Sequence, residues 1–294
     1  MLKRQKILLN ILNQNGGKVS HVKLVKIAFL LSREDKIGDG IPFYDFVPYK
    51  YGPFSFALYR ELAALEHDGY IQMTDRSVAV CDRLAAEVEQ HVQDLPRRLQ
   101  SEVSDVVRRY ARMSLTDLLR NVYCRFPWYA TASERRDLVP ASAKSGRPLA
   151  QIAVYTVGYE GKSVDRFFDE LLRFGIRAIL DVRANPVSRK YGFARKSMWD
   201  ISSKLGLGYH HLPELGIPSS ERGELSDFDS YQRLLDRYEA EMLPSQGNHM
   251  TDAIRLLKQE PSALLCVEKD VRCCHRGRLA KALASISGLP VIHL

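Results

Sequence analysis

Residues 153–182, "AVYTVGYEGKSVDRFFDELLRFGIRAILDV", constrain the fold most, because they pass from a hydrophobic run into a helical period and back. "IAVYTV" has the length and apolar continuity of a strand buried on both faces. "KSVDRFFDELLRFG" then sets Val164, Phe167, Phe168, Leu171 and Leu172 on one helical face and stops at Gly175, and "IRAILDV" is a second strand. Such a unit joins parallel strands through a right-handed crossover. Further on, "ALLCVE" and "PVIHL" supply strands, with helices expected over 197–206, 229–242, 248–259 and in "HRGRLAKALASIS". The expectation is an α/β domain with a mostly parallel, Rossmann-like sheet.

Upstream, the pattern is different. "KRQKILLNIL" and "HVKLVKIAFLLSRE", the second with Leu24, Ile27, Ala28 and Leu31, read as two helices around "NQNGG", with Ser20 as an N-cap. Next come an extended segment, a Gly-Pro turn at Gly52 and Pro53, a helix with Phe56, Tyr59, Leu62 and Leu65 on one face, and a strand from Tyr70. Helices followed by a small hairpin predict a mainly helical, winged-helix-like domain. Residues 84–138 read as helical, with a capping box at Ser114 and Asp117, and with Phe126, Trp128 and Tyr129 as core packing ahead of a base-stacking platform. The small, polar "VPASAKSGRPLAQ" places the boundary, giving domains over 1–140 and 152–294 and a linker over 141–151. The stretch from "KLVKIAFLLSRE" to "YKYGPFSFALYRELAALEHDGYI" also resembles the Panacea-like domains found with bacterial antitoxins. That resemblance implies a bacterial conflict-system setting.

A chain of 294 residues with 45% hydrophobic content suits two domains. No run of about 18 apolar residues is present, and the amino-terminal stretch lacks a secretory pattern, so a cytoplasmic, non-membrane protein is expected. Five cysteines, odd in number and three of them clustered, read as reduced thiols. The net charge of +8 favours a polyanionic partner: nucleic acid, DNA ahead of RNA, or a nucleotide. No cofactor and no oligomeric state follow from the sequence.

In an open α/β sheet, ligands bind outside the carboxyl ends of the strands. The segments there are "GYEGKS", "DVRANPVSRKYGFARK", "HLPELG" and "CVEKDVRCCHR". With "YTVGYEGKS", "DVR…SRK", "YHHLPELG" and "LLCVEKDVRCCHR" in this order, nearly all of 153–294 resembles the domain of unknown function 488 family. The family name implies no chemistry, so the residues must supply it.

Three readings of "CVEKDVRCCHR" compete. A zinc set of Cys266, Cys273, Cys274 and His275 matches no structural zinc spacing, so no metal ligand is assigned. A Cys266 thiolate, as in a phosphatase or a rhodanese-like sulfurtransferase, would face the repulsion of Glu268 and Asp270. In the third reading, Glu268, Asp181, Glu160 and Tyr159 are catalytic candidates, while Arg183, Ser188, Arg189, Glu214, Cys274, His275 and Arg276 hold the ligand, the last three at a helix start that favours anions. The mixed loop around Arg195, Lys196 and Trp199 has the composition of a strand-tracking surface. The expected function is a hydrolase of a phosphodiester or N-glycosidic bond in nucleic acid or a nucleotide. The alternative is a non-catalytic DNA-binding regulator or antitoxin-like protein.

Overall fold

The computed structural model describes residues 1–34, 43–143, 146–221 and 228–294. They divide into two compact units, Met1–Gly146 and Arg147–Leu294. Residues 144 and 145 of the expected linker lie outside the described residues.

The first unit runs α1 (Lys3–Gln14), β1 (Lys18–Ser20), α2 (His21–Glu34), β2 (Val47–Tyr49), β3 (Gly52–Phe54), α3 (Phe56–His67), β4 (Ile71–Met73), β5 (Ser77–Val80), α4 (Ala85–Gln93), α5 (Arg97–Tyr110) and α6 (Leu115–Arg125). Helices predominate, joined by an antiparallel sheet of order β1-β5-β4 and the separate β2-β3 pair. Ser20 Oγ accepts from the Lys23 amide at 3.3 Å, and Ser114 Oγ accepts from the Asp117 amide at 3.1 Å, so both caps are made. Phe126 and Tyr129 pack edge-on against Phe29, at 5.0 and 4.7 Å, inside the core. One turn differs from expectation: the chain reverses at Lys50 and Tyr51, and Gly52 and Pro53 lie in β3. Gly52 has φ +91°, and a Cβ there would come within 2.6 Å of the Tyr123 ring, so glycine is needed for backbone conformation and close packing rather than for the turn.

The second unit contains β6 (Val154–Gly158), α7 (Val164–Phe174), β7 (Ala178–Asp181), α8 (Arg195–Leu205), β8 (Gly208–His211), α9 (Phe228–Arg237), α10 (Gly247–Gln259), β9 (Ser262–Cys266), α11 (His275–Ser287) and β10 (Val291–His293). All five strands are parallel, in the order β10-β6-β9-β7-β8. The α/β class stands, but the order departs from a Rossmann sheet because β9 lies between β6 and β7. "SALLC" is buried at every position, as a central strand must be. Gly175 ends α7 with φ +78°, the left-handed cap its position implied. Register pairs Gly158 with Cys266, Asp181 with Leu265, and Asp181 with His211, so these strand ends share one edge. No described helix is long and apolar enough to cross a membrane.

Candidate functional site

Two polar networks stand at the carboxyl ends of the strands. The first is built on Asp181, the fully buried last residue of β7. Its Oδ1 accepts from Arg183 Nε at 2.7 Å, and its Oδ2 accepts from Arg183 Nη2 and from the Tyr209 hydroxyl, both at 2.6 Å. Arg183 Nη1 donates to the Phe193 carbonyl at 2.9 Å and to the Tyr159 hydroxyl at 3.3 Å, while Tyr159 stacks on Phe193 at 4.2 Å. Burial disfavours the Arg183 charge, but the Asp181 carboxylate outweighs it and holds the guanidinium pKa above its ordinary value. Burial, helped by Asp181, also pushes the Tyr209 pKa up. Asp181 and Arg183 thus satisfy each other, which leaves them as positioning residues for Tyr209 and Tyr159.

The second network joins the end of β9 to the start of α11. Cys266 donates its thiol to Glu268 Oε2 at 3.2 Å and lies 3.7 Å from His275 Nδ1. His275 Nε2 faces the Val182 carbonyl at 3.0 Å, so it carries the proton and leaves Nδ1 toward the thiols. Burial alone would raise the Glu268 pKa, but hydrogen bonds from Cys274 and Cys266 outweigh it and hold the carboxyl below its ordinary range. Glu268 is therefore a standing anion, fit to accept a proton or a cation rather than to donate. Burial pushes the Cys274 thiol up.

Arg276, 2% exposed, donates Nη2 to the Lys269 carbonyl at 3.2 Å, while its Nε and Nη1 find no hydrogen-bond partner among the described residues. Gly158 makes room for this arrangement: a Cβ there would fall 1.9 Å from the Glu268 carbonyl oxygen and 3.2 Å from Arg276 Nη2. The other predicted residues fare differently. Exposed Glu160 accepts the Lys269 amide at 2.9 Å and ties two loops together. Ser188 Oγ accepts the Lys190 amide at 3.2 Å, and Arg189 is exposed. Glu214 Oε2 lies 3.8 Å from His249 Nδ1.

Beside the first network lies a cleft of ≈ 560 Å³ lined by Arg195, Lys196, Trp199, Tyr209 and His211. Arg195 and Lys196 occupy the first turn of α8, whose N-cap, Ala194, has no side chain to satisfy the amides there. Trp199 is 57% exposed. His211 Nε2 faces the Arg183 carbonyl at 3.0 Å and so acts as the donor nitrogen. The candidate residues chosen from the sequence omit Tyr209 and His211, although two-residue alternation in "GYHH" puts both on one strand face.

A match to a known family covers most of this constellation, from the start of α7 into α11. The C-terminal unit resembles DUF488, a domain of unknown function. The DUF488 match spans residues 163–283, including Asp181, the cleft, Cys266 and Arg276, and leaves out Tyr159 and Glu160 in the loop after β6. No curated protein and no solved structure matches the chain.

A separate pocket of ≈ 410 Å³ belongs to the first unit, lined by Tyr49, Phe54, Tyr59, His21 and Lys26 among others. Phe54 and Tyr59 stack at 4.7 Å. Lys26, 3% exposed, donates Nζ to the Pro53 carbonyl at 2.8 Å, and burial brings its pKa down to about 7.

Proposed function

We propose that the C-terminal unit is a nucleotide- or nucleic-acid-processing enzyme, hydrolysing a phosphodiester or N-glycosidic bond in the cleft beside α8. The observation that carries this reading is the lining itself: two cations, an exposed indole, and the Tyr209 and His211 side chains around one space. A phosphate suits Arg195, Lys196 and the α8 amides that follow Arg195, whose own amide donates to the Pro186 carbonyl at 3.0 Å. A base suits the Trp199 face, since stacking tolerates every base. The neutral form of His211, with Nε2 donating to the Arg183 carbonyl, offers Nδ1 as the acceptor for a proton from an attacking water. Tyr209 is held in place by Asp181 and donates to it, so it positions rather than titrates. Glu268 and Glu160 do not line the cleft.

The test is binding and turnover of nucleotides and short oligonucleotides by the full chain and two variants. Trp199→Ala should weaken binding by about 1–3 kcal/mol per stacked base. His211→Gln should keep binding and lose about 10²- to 10⁴-fold in rate. Parent-level turnover by His211→Gln defeats the mechanism, and absence of any binding at low salt defeats the ligand class.

A second reading concerns the first unit as a DNA-binding module. The observation that favours it is the order of its elements, with β1 between α1 and α2 and a small antiparallel sheet of order β1-β5-β4, which is compatible with a winged-helix reading. Residues 1–146 expressed alone should then shift a DNA duplex at low salt, and no shift removes this reading.

A further inference from the structure

The sulfur and nitrogen atoms of Cys266, Cys274 and His275 all lie within 4.8 Å of one another, and all three residues are buried. We propose that they form a metal site that takes a zinc-class divalent cation through two thiolates and one imidazole nitrogen. The proposal is independent of the cleft. With Zn–S near 2.3 Å and Zn–N near 2.0–2.1 Å, tetrahedral geometry asks for donor separations of about 3.5–3.8 Å. The 3.7 Å between Cys266 Sγ and His275 Nδ1 already meets this.

The imidazole is set for the role. Metal-bound histidines give their second ring N–H to a carbonyl or carboxylate, which fixes the tautomer. His275 does so through Nε2 and the Val182 carbonyl, which aims the Nδ1 lone pair at the two sulfurs. Consecutive residues converge here because the backbone changes state between them. Cys274 is extended, at φ −140° and ψ 134°, and His275 is the first residue of α11, so the two side chains need not diverge as they would within a strand. Cys273 belongs to the preceding short turn and stands outside the set.

Three protein ligands leave a fourth position. Glu268, whose Oε2 is 3.2 Å from Cys266 Sγ, is the group beside it. Each thiol gives up its proton to solvent as its sulfur binds the cation, so loading releases two protons and couples metal affinity to the folded ends of β9 and α11. Thiolate sulfur with imidazole selects zinc over magnesium or calcium.

The test uses the full chain, stripped with chelator under reducing conditions and reloaded with zinc, or with cobalt(II) as a spectroscopic stand-in. The parent should retain about one equivalent of zinc per chain after desalting, and its cobalt form should show sulfur-to-cobalt charge transfer in the near ultraviolet. Cys274→Ser should lose both signals, and Cys273→Ser should keep both. A parent that retains no zinc, or a cobalt form without sulfur bands, overturns the site. So does a folded Cys274→Ser that loads like the parent, or a Cys273→Ser that fails to load. If Cys274→Ser does not fold, the parent's cobalt spectrum decides alone.

Discussion

Replacing Lys26 with methionine should change how the stability of the first unit depends on pH. The Lys26 ammonium is buried, with the Pro53 carbonyl at 2.8 Å, and its pKa is brought down from an ordinary 10.5 to about 7. The unfolded chain holds that proton up to its ordinary pKa, so between about pH 7 and pH 10 the unfolded state binds more protons than the folded one. Stability therefore rises with pH across this window, by about 1.4 kcal/mol per pH unit, and the full cost of the buried charge is felt below it. Methionine has similar length and no charge, so the variant lacks this term. Over the two units from about pH 7.5 to about pH 9.5, parent and variant stabilities should change relative to each other by about 2.7 kcal/mol, in the parent's favour as pH rises. Urea unfolding followed by Trp128 fluorescence, in a Trp199→Phe background, reports the first unit alone, because these are the chain's two tryptophans. Parallel pH profiles for the two proteins would refute the argument and place the Lys26 ammonium in contact with water.

The Asp181–Arg183 pair should respond asymmetrically. Arg183→Met removes the cation paired with the fully buried Asp181 carboxylate, leaving it the Tyr209 hydroxyl and the backbone amide of residue 183, and should cost about 3–5 kcal/mol in chemical denaturation, whereas adding Asp181→Asn should recover part of that loss. A loss below about 1 kcal/mol for Arg183→Met would mean that water reaches Asp181. Gly158→Ala forces a Cβ toward the Glu268 carbonyl oxygen and should destabilise the second unit by about 1–3 kcal/mol or more, read as a lower melting temperature. An unchanged melting temperature would show that the β9 loop can move aside.

Local pattern made the elements legible and long-range pairing did not. The faces of α2 and α7, the Gly175 cap and both serine caps follow from residue spacing and side-chain chemistry, which act within a few positions. The order β10-β6-β9-β7-β8 is set by which strands pair across the chain, so nothing in "SALLC" itself announces that it splits β6 from β7. Gly52 and Pro53 read as a turn because glycine and proline commonly mark one, but glycine serves there for its positive φ and the nearby Tyr123 ring. The site shows the same division. Asp181 and Arg183 were visible as strand-end polar residues two apart, and their mutual pairing follows from that spacing. Tyr209 and His211 went unchosen because a short polar edge strand carries a weak periodic signal. The spacing of Cys266, Cys273, Cys274 and His275 matches no structural zinc pattern when all four are counted, whereas the backbone change at Cys274 brings Cys274 and His275 together with Cys266 and leaves Cys273 aside.

The central claim, that the cleft beside α8 takes a nucleotide or a nucleic-acid strand, rests on Trp199 lying in its wall. Trp199 fluorescence in a Trp128→Phe background, titrated with nucleotides and short single strands, measures this directly. Saturable quenching should appear, weaken as salt rises and be lost when Arg195 and Lys196 are both replaced by alanine. Fluorescence unchanged at low salt by every nucleotide and oligonucleotide would contradict the claim.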